Sequence, residues 1–351
     1  MLISHIRQLT PETLTGILQH NGILEKGASV SEMRVQESRP TTTGHVYFLR
    51  VQYRDYRSLK RAPNRIFVKI TREGLDFASR ETTFYGDIAP EMQSRFAAAD
   101  LVFPVCYDAF YDDARKQAHF LLEDLSDGFR PSSDGQPPSK VHREKMMERL
   151  ATFHAYWWGH PDLKKHTPAY DETALDNLVI QYQAAFERFR PVMQHKLPAN
   201  YMALLHQIAT KLPAKRRETM LKGLNLTMIH RDAHPGNFLY SFNNVKLIDW
   251  QSWRTDSGLD DVAYLIAGHF PEPVQKLETR NLLQKYFNTL QKAKIQSYTW
   301  DDCQYDYLAS LARCAGFLMV AWKPEQTDFT KGQRILKILD EMGGLKIFAN
   351  A

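Results

Sequence analysis

One stretch constrains this chain more than any other. It begins with the strand-like run Leu226–Ile229 and continues as His230-Arg231-Asp232-Ala233-His234-Pro235-Gly236-Asn237. Two further apolar runs follow, residues 237–240 and 245–248, and the stretch closes on Asp249-Trp250. Asn243-Asn244 between those runs suits a tight turn, because Asn tolerates positive φ. The pattern therefore predicts a strand, a loop bent by Pro235 and Gly236, and a hairpin that returns Asp249 to the neighbourhood of Asn237. Its chemistry is equally specific. Asp232 can accept a proton from a hydroxyl, and Asn237 and Asp249 offer oxygen ligands to a divalent cation. Phosphoryl transfer to an alcohol needs that combination.

The eight residues 230–237 and the later Ile248-Asp249-Trp250 resemble the aminoglycoside phosphotransferase and choline kinase superfamily, a branch of the protein-kinase-like fold. His234 and Pro235 point to that branch. Asp249-Trp250-Gln251 stands where protein kinases carry Asp-Phe-Gly, and neither an activation loop nor an Ala-Pro-Glu segment follows it. The resemblance implies an α+β, bilobal protein-kinase-like fold. A small N-terminal lobe would hold an antiparallel β-sheet and a helix (residues 1–123), and a hinge and linker would follow (124–139). A larger, mainly helical C-terminal lobe would carry the catalytic loop and the acceptor site (140–351).

The resemblance also implies roles. Asp232 would be the catalytic base, and Asn237 and Asp249 the Mg²⁺ ligands. Lys69, in the apolar run 66–70, would grip the α- and β-phosphates of ATP. Its partner would be Glu81, which shares a face with Phe77, Phe84, Tyr85 and Ile88 on a helix expected over residues 74–88. An acid on an apolar face requires a partner, because burying a lone carboxylate is costly; Glu73 is the other candidate. Between the strand candidates 30–36 and 45–53 lies a loop with a single glycine. Its Thr43 and Gly44 are placed over the phosphates by position in the chain, with a plain β-turn as the competing reading. Two more strands are expected at 101–107 and 119–122, and adenine is expected against Glu123 to Leu125.

Composition adds boundaries. At 351 residues the chain can bury a large core, and its 43% hydrophobic and 24% charged residues are those of an ordinary globular protein. A net charge of +5 without a long Lys/Arg run gives no sign of nucleic-acid binding. Cys106, Cys303 and Cys314 form no paired motif, which suggests a reducing compartment. No signal segment or spanning apolar run is evident, so a cytoplasmic protein that does not enter a membrane is expected.

The remaining chain reads as helices. Thr10-Pro11 marks a helix start, and residues 140–160, 173–193, 200–212, 273–292, 302–322 and 331–342 carry amphipathic patterns. His154 is expected to be a hydrogen-bonded core histidine. His230 and His234 should brace the loop, and Asp261 should cap a helix and support the catalytic loop. Asp256 and Asp260 are the acids that could attract a cationic acceptor. The expected activity is ATP- and Mg²⁺-dependent phosphorylation of a small hydroxylated molecule. The alternative is a catalytically silent nucleotide-binding regulator on the same fold. The residues name neither the acceptor nor the oligomeric state.

Overall fold

The computed structural model describes residues 1–54, 62–132, 136–166, 172–325 and 328–348. In chain order the elements are α1 (Pro11–His20), β1 (Val30–Thr41), β2 (Gly44–Tyr53), β3 (Arg65–Thr71), α2 (Ala78–Thr83), α3 (Ala89–Gln93), β4 (Cys106–Asp112), β5 (Gln117–Glu123) and β6 (Arg130–Pro131). Then come α4 (Lys140–Trp157), α5 (Leu163–His166), α6 (Glu172–Met193), α7 (Ala199–Lys222), β7 (Leu226–Ile229), β8 (Phe238–Tyr240), β9 (Val245–Leu247) and β10 (Arg254–Ser257). Last are α8 (Leu259–His269), α9 (Glu272–Lys292), α10 (Trp300–Ala321) and α11 (Thr330–Glu341).

Packing divides the chain into two units. The first comprises 1–131 and 239–253, and the second 132–238 and 254–351. The β8–β9 hairpin and Asp249 thus pack with the first unit, although chain order places them among the helices. Most of the connection expected at residues 54–64 lies outside the described residues.

The first unit is built on an antiparallel sheet of order β1-β2-β3-β5-β4. Alternation in β3 buries Ile66, Val68 and Ile70, and these pack with Leu49, Val51 and Leu121 against Leu14 and Leu18 of α1. Thr10 caps α1 through its hydroxyl, with Pro11 in the first turn, as the sequence predicts. Two expectations change here. The run at 101–107 is not a strand up to Val105. Leu101, Val102 and Phe103 are buried core residues, and β4 begins only at Cys106. The helix expected over 74–88 is shorter at its start. Phe77 precedes it and is 42% exposed, while Glu81, Phe84, Tyr85 and Ile88 are buried. Residues Phe84–Ile88 continue α2 as a wider π-type turn that tucks the aromatic pair inward.

The second unit is mainly helical: α4 packs on α9, α6 on α7, and α8 on α10. Helix α7 was expected to stop at Leu212, before Pro213. It runs on to Lys222 and ends at Gly223 in the left-handed conformation, φ 65°. The proline removes one backbone bond. Buried Leu204, Leu205, Ile208, Leu212 and Arg216 on either side hold both halves to the core. Strand β7, which leads into the loop 230–237, pairs antiparallel with β10.

Candidate active site

The candidate residues fall into two groups, one in each unit. In the first unit Lys69 sits on β3 beside Phe120, its ammonium 5.3 Å from the ring centroid. Its Nζ lies 2.6 Å from Oε2 of Glu81, and the Glu81 side chain is 4% exposed. Glu73 is 65% exposed and faces Arg115, so it is not the partner of Lys69. Burial opposes the charge on Lys69. The carboxylates of Glu81 and Asp249 outweigh it and hold the lysine pKa above its ordinary value.

Asp249 itself is left-handed, at φ 68°. An L-residue adopts that conformation at a cost and keeps it only where its neighbours impose it. Trp250 does so here. It is fully buried, stacks on Phe84 at 4.0 Å with the planes 4° apart, and donates from Nε1 to the Leu247 carbonyl. Helix α2 thus carries Glu81, and the π-type turn that continues it packs, through Phe84, on the residue that follows Asp249.

The segment expected to face adenine, Glu123 to Leu125, is more committed than its sequence suggests. The Glu123 N–H donates to Val105 O. Its carboxylate accepts from the Val105 N–H and from Lys246 of β9, a lysine only 2% exposed. Asp124 pairs with Arg65. The Leu125 carbonyl accepts from Gly128 and Phe129, and among the described residues no hydrogen bond engages its N–H. Lys246 as the anchor of Glu123 was not legible beforehand, since it reads as an ordinary polar residue in a strand.

The loop expected over the phosphates is a two-residue turn. Strands β1 and β2 run to Thr41 and Gly44, leaving Thr42 and Thr43 as the connection, and the Thr43 carbonyl accepts from Arg72 N–H. Gly44 is explained by packing. A Cβ there would lie 2.1 Å from the Ile70 carbonyl oxygen of the adjacent strand.

In the second unit Asp232 and Asn237 meet on the loop after β7. Asn237 Nδ2 donates to the Asp232 carbonyl at 2.9 Å and to its carboxylate Oδ2 at 3.3 Å. Tyr264 donates its hydroxyl to Oδ1 at 3.1 Å. The Asp232 N–H donates to Nδ1 of buried His230, and His234 Nδ1 accepts from Gly236 N–H. Both histidines thus brace the loop. Asp232 keeps 35% of its side chain exposed. Its neighbourhood raises the Tyr264 pKa, through burial first and the Asp232 charge second, so that phenol stays a donor.

The loop is pinned from below. Arg231 is left-handed, φ 72°. The fully buried Asp261 carboxylate accepts from the N–H groups of His230 and Arg231, each at 2.7 Å. Its oxygen also lies 3.3 Å from Nε2 of His154, whose Nδ1 is 2.9 Å from Tyr286 Oη. His154 is therefore a satisfied core histidine. Asp261 braces the loop but caps nothing, as the N-cap position Gly258 receives no side-chain bond. Tyr264 follows Asp261 by one helical turn on α8, so one helix face holds both the loop backbone and its carboxylate.

Gly258 is dictated by the same cluster, because a Cβ there would meet Tyr286 Oη at 2.3 Å and His154 Nδ1 at 2.8 Å. Gly258→Ala is expected to destabilise the protein by about 2 kcal/mol or more through overpacking, read as a lowered denaturation midpoint. A midpoint unchanged from the parent would remove this packing account.

Asp256 and Asp260 are not a cation-attracting surface. Asp256 is fully buried between Arg216 and Arg254, and Asp260 is bound by Arg313. These pairs tie β10 and α8 to α7 and α10, and the arginines hold the Asp256 carboxyl below its usual range against burial.

The sequence matches the ecdysteroid kinase-like family over residues 59–298, more than half of the chain. No curated protein matches. Among solved structures, the chain resembles a putative aminoglycoside phosphotransferase from Ralstonia eutropha JMP134, with 13% identity over 96% of this chain and 98% of that one, at a TM-score of 0.50. It is also similar to an aminoglycoside phosphotransferase from Alicyclobacillus acidocaldarius (14% identity, 90% and 91% covered, TM-score 0.48). A third is choline kinase LicA from Streptococcus pneumoniae (14% identity, 89% and 94% covered, TM-score 0.45). At such identities the likeness is one of fold, and that fold is the α+β, protein-kinase-like one. Among the described residues no helix is long and apolar enough to cross a membrane.

Proposed function

We propose, from the premise that this chain belongs to the ecdysteroid kinase-like family, that it transfers the γ-phosphate of ATP to a hydroxyl group of a small molecule. The observation that carries the reading is the setting of Asp232. This part-exposed carboxylate is oriented by Tyr264 and Asn237 on a loop whose backbone is clamped by a buried acid. A residue so placed is suited to general-base work.

The donor chemistry fits Mg²⁺, which takes hard oxygen ligands. Asp249 offers a carboxylate. Asn237 has its amide nitrogen committed to Asp232, which leaves its Oδ1 as the ligand atom. The metal, when bound, neutralises phosphate charge. The chain's own residues do the rest. Lys69, oriented by Glu81, binds the α- and β-phosphates. The β1–β2 turn at Thr43 and Gly44 covers them. The Glu123 carbonyl and the Leu125 N–H face adenine. Asp232 takes the proton of the acceptor hydroxyl as its oxygen bonds to the γ-phosphorus. The bond to the bridging oxygen breaks, and ADP leaves with the electron pair. Positioning and charge stabilisation supply most of the acceleration.

The test is incubation with Mg·ATP and a pooled library of hydroxylated compounds, read by mass spectrometry as the gain of one phosphate. Product formation that depends on Asp232 is the expected result. Nucleotide binding without any product would favour the silent regulator, and absence of both would end the kinase reading. Asp249→Ala is expected to weaken Mg·ATP binding by about tenfold or more, measured by calorimetry, while ATP affinity without metal changes little. Equal Mg·ATP affinity in the variant would remove Asp249 from the metal.

A further inference from the structure

Helix α11 brings a cation to the catalytic loop of the second unit. Lys331 Nζ lies 3.3 Å from Nε2 of His269, the last residue of α8, and 5.2 Å from the centroid of the Tyr264 ring. Tyr264 is the donor to Asp232 Oδ1. His269 stacks on His234 at 5.2 Å, and His234 Nε2 is 3.8 Å from Asp232 Oδ2. Lys331 is thus linked to both carboxylate oxygens, through one aromatic contact on one side and two on the other.

Three features make this arrangement more than a surface lysine. Among the described residues no carboxylate forms an ion pair with Lys331, although lysines elsewhere on the chain are paired with acids. Arg334, one turn along α11, donates to the Gly268 carbonyl and adds positive charge behind the same wall. His269 is held neutral, its pKa pushed down to about 3 by burial and then by Lys331, His234 and Arg334. Burial and then Arg334 hold the Lys331 pKa below its ordinary value, with Cys314 and Asp232 offsetting only part of this. The acids expected to attract a cationic acceptor, Asp256 and Asp260, are bound to arginines.

We infer that Lys331 is a specificity-determining residue of the acceptor side of the site: with His269 and Tyr264 it forms a positive wall beside Asp232 that admits uncharged or anionic alcohols and disfavours cationic ones. This rests on the phosphotransferase reading above. Alone, the Asp232 carboxylate would attract a positively charged acceptor. The neighbouring ammonium cancels that field, so a cation gains nothing on approach while a carboxylate or a neutral polyol is not repelled.

The experiment measures Asp232-dependent phosphorylation of three sets of probes by the full chain. The cationic set is choline, ethanolamine and kanamycin. The uncharged set is 3,3-dimethylbutan-1-ol, an isostere of choline, with myo-inositol and a sterol. The anionic set is glycerate and gluconate. Wild type is compared with Lys331→Glu and Lys331→Gln, each checked for an unchanged melting temperature. Products are expected from the uncharged or anionic sets. Lys331→Glu should shift the ratio of kcat/KM between cationic and uncharged probes about tenfold toward the cation, the size expected from reversing one charge at this range, and Lys331→Gln should fall between. Preferential turnover of cationic probes by wild type overturns the inference and leaves the phosphotransferase reading standing. So does a ratio unmoved by Lys331→Glu. Absence of Asp232-dependent product from every set removes the reading and the inference together.

Discussion

Replacing Asp232 by Ala is expected to lower turnover by about 10²–10⁴-fold, the usual worth of a positioned general base, with Mg·ATP affinity nearly unchanged. The separation follows from where the groups lie. Lys69, Glu81 and Asp249 belong to one packed unit and Asp232 to the other, so removing its carboxylate leaves the Lys69–Glu81 pair intact. Within its own unit the loss frees the Tyr264 hydroxyl and one contact of Asn237, while the loop backbone stays clamped by Asp261. Asp232→Asn should be nearly as inactive, because it keeps the shape and loses the proton acceptor. Single-turnover measurements at saturating ATP decide the matter. Turnover within a few-fold of wild type in Asp232→Ala would dismiss the base assignment.

Asp261→Ala should produce the largest loss of stability of any single change considered, about 3–5 kcal/mol. Two N–H donors, that of buried His230 and that of Arg231, lose their acceptor, and His154 loses a partner at Nε2. Each orphaned buried donor costs about 1–3 kcal/mol, and no water is accommodated beside a fully buried carboxylate without rearrangement. Arg231 adds to the cost, since its positive φ persists only while the surroundings impose it. Activity should fall as well, by tenfold or more, because the loop that carries Asp232 loses its support. Asp261→Asn retains one acceptor oxygen and should fall between. Denaturant unfolding followed by fluorescence measures the first effect and steady-state turnover the second. A variant as stable as the parent would show that the loop is held by something other than this carboxylate.

The contrast between these two acids shows what a sequence can disclose. Asp232 sits within the strand, bent loop and hairpin, where residue types and local turn chemistry specify the arrangement over short range. The loop, its two bracing histidines and the contact between Asn237 and Asp232 follow from that local code. Asp261 was recognisable as support only through the family resemblance of the Gly258–Asp261 segment. That its carboxylate faces loop N–H groups about thirty residues earlier depends on where tertiary packing sets α8 relative to the loop after β7. Lys69 and Glu81 are an intermediate case. Period-two and helical patterns each placed one charge on an apolar face, and mutual burial leaves such charges little choice but to pair. Where patterning misled, it did so through runs with no strong period. Leu101-Val102-Phe103 is equally compatible with a buried connection, and only the register of β4 against β5 decides.

By itself, then, the sequence determined the family, the fold class, the strand–loop–hairpin and the residue types of the candidate site, because these depend on near neighbours and on hydrophobic period. Tertiary structure alone decided which distant side chains complete it. Tyr264 is set on Asp232, Lys246 is drawn under Glu123, the arginines occupy Asp256 and Asp260, and Lys331 is brought to the loop from the last long helix. Each of those contacts joins residues whose proximity is set by packing of whole elements, and no local pattern of polarity encodes it.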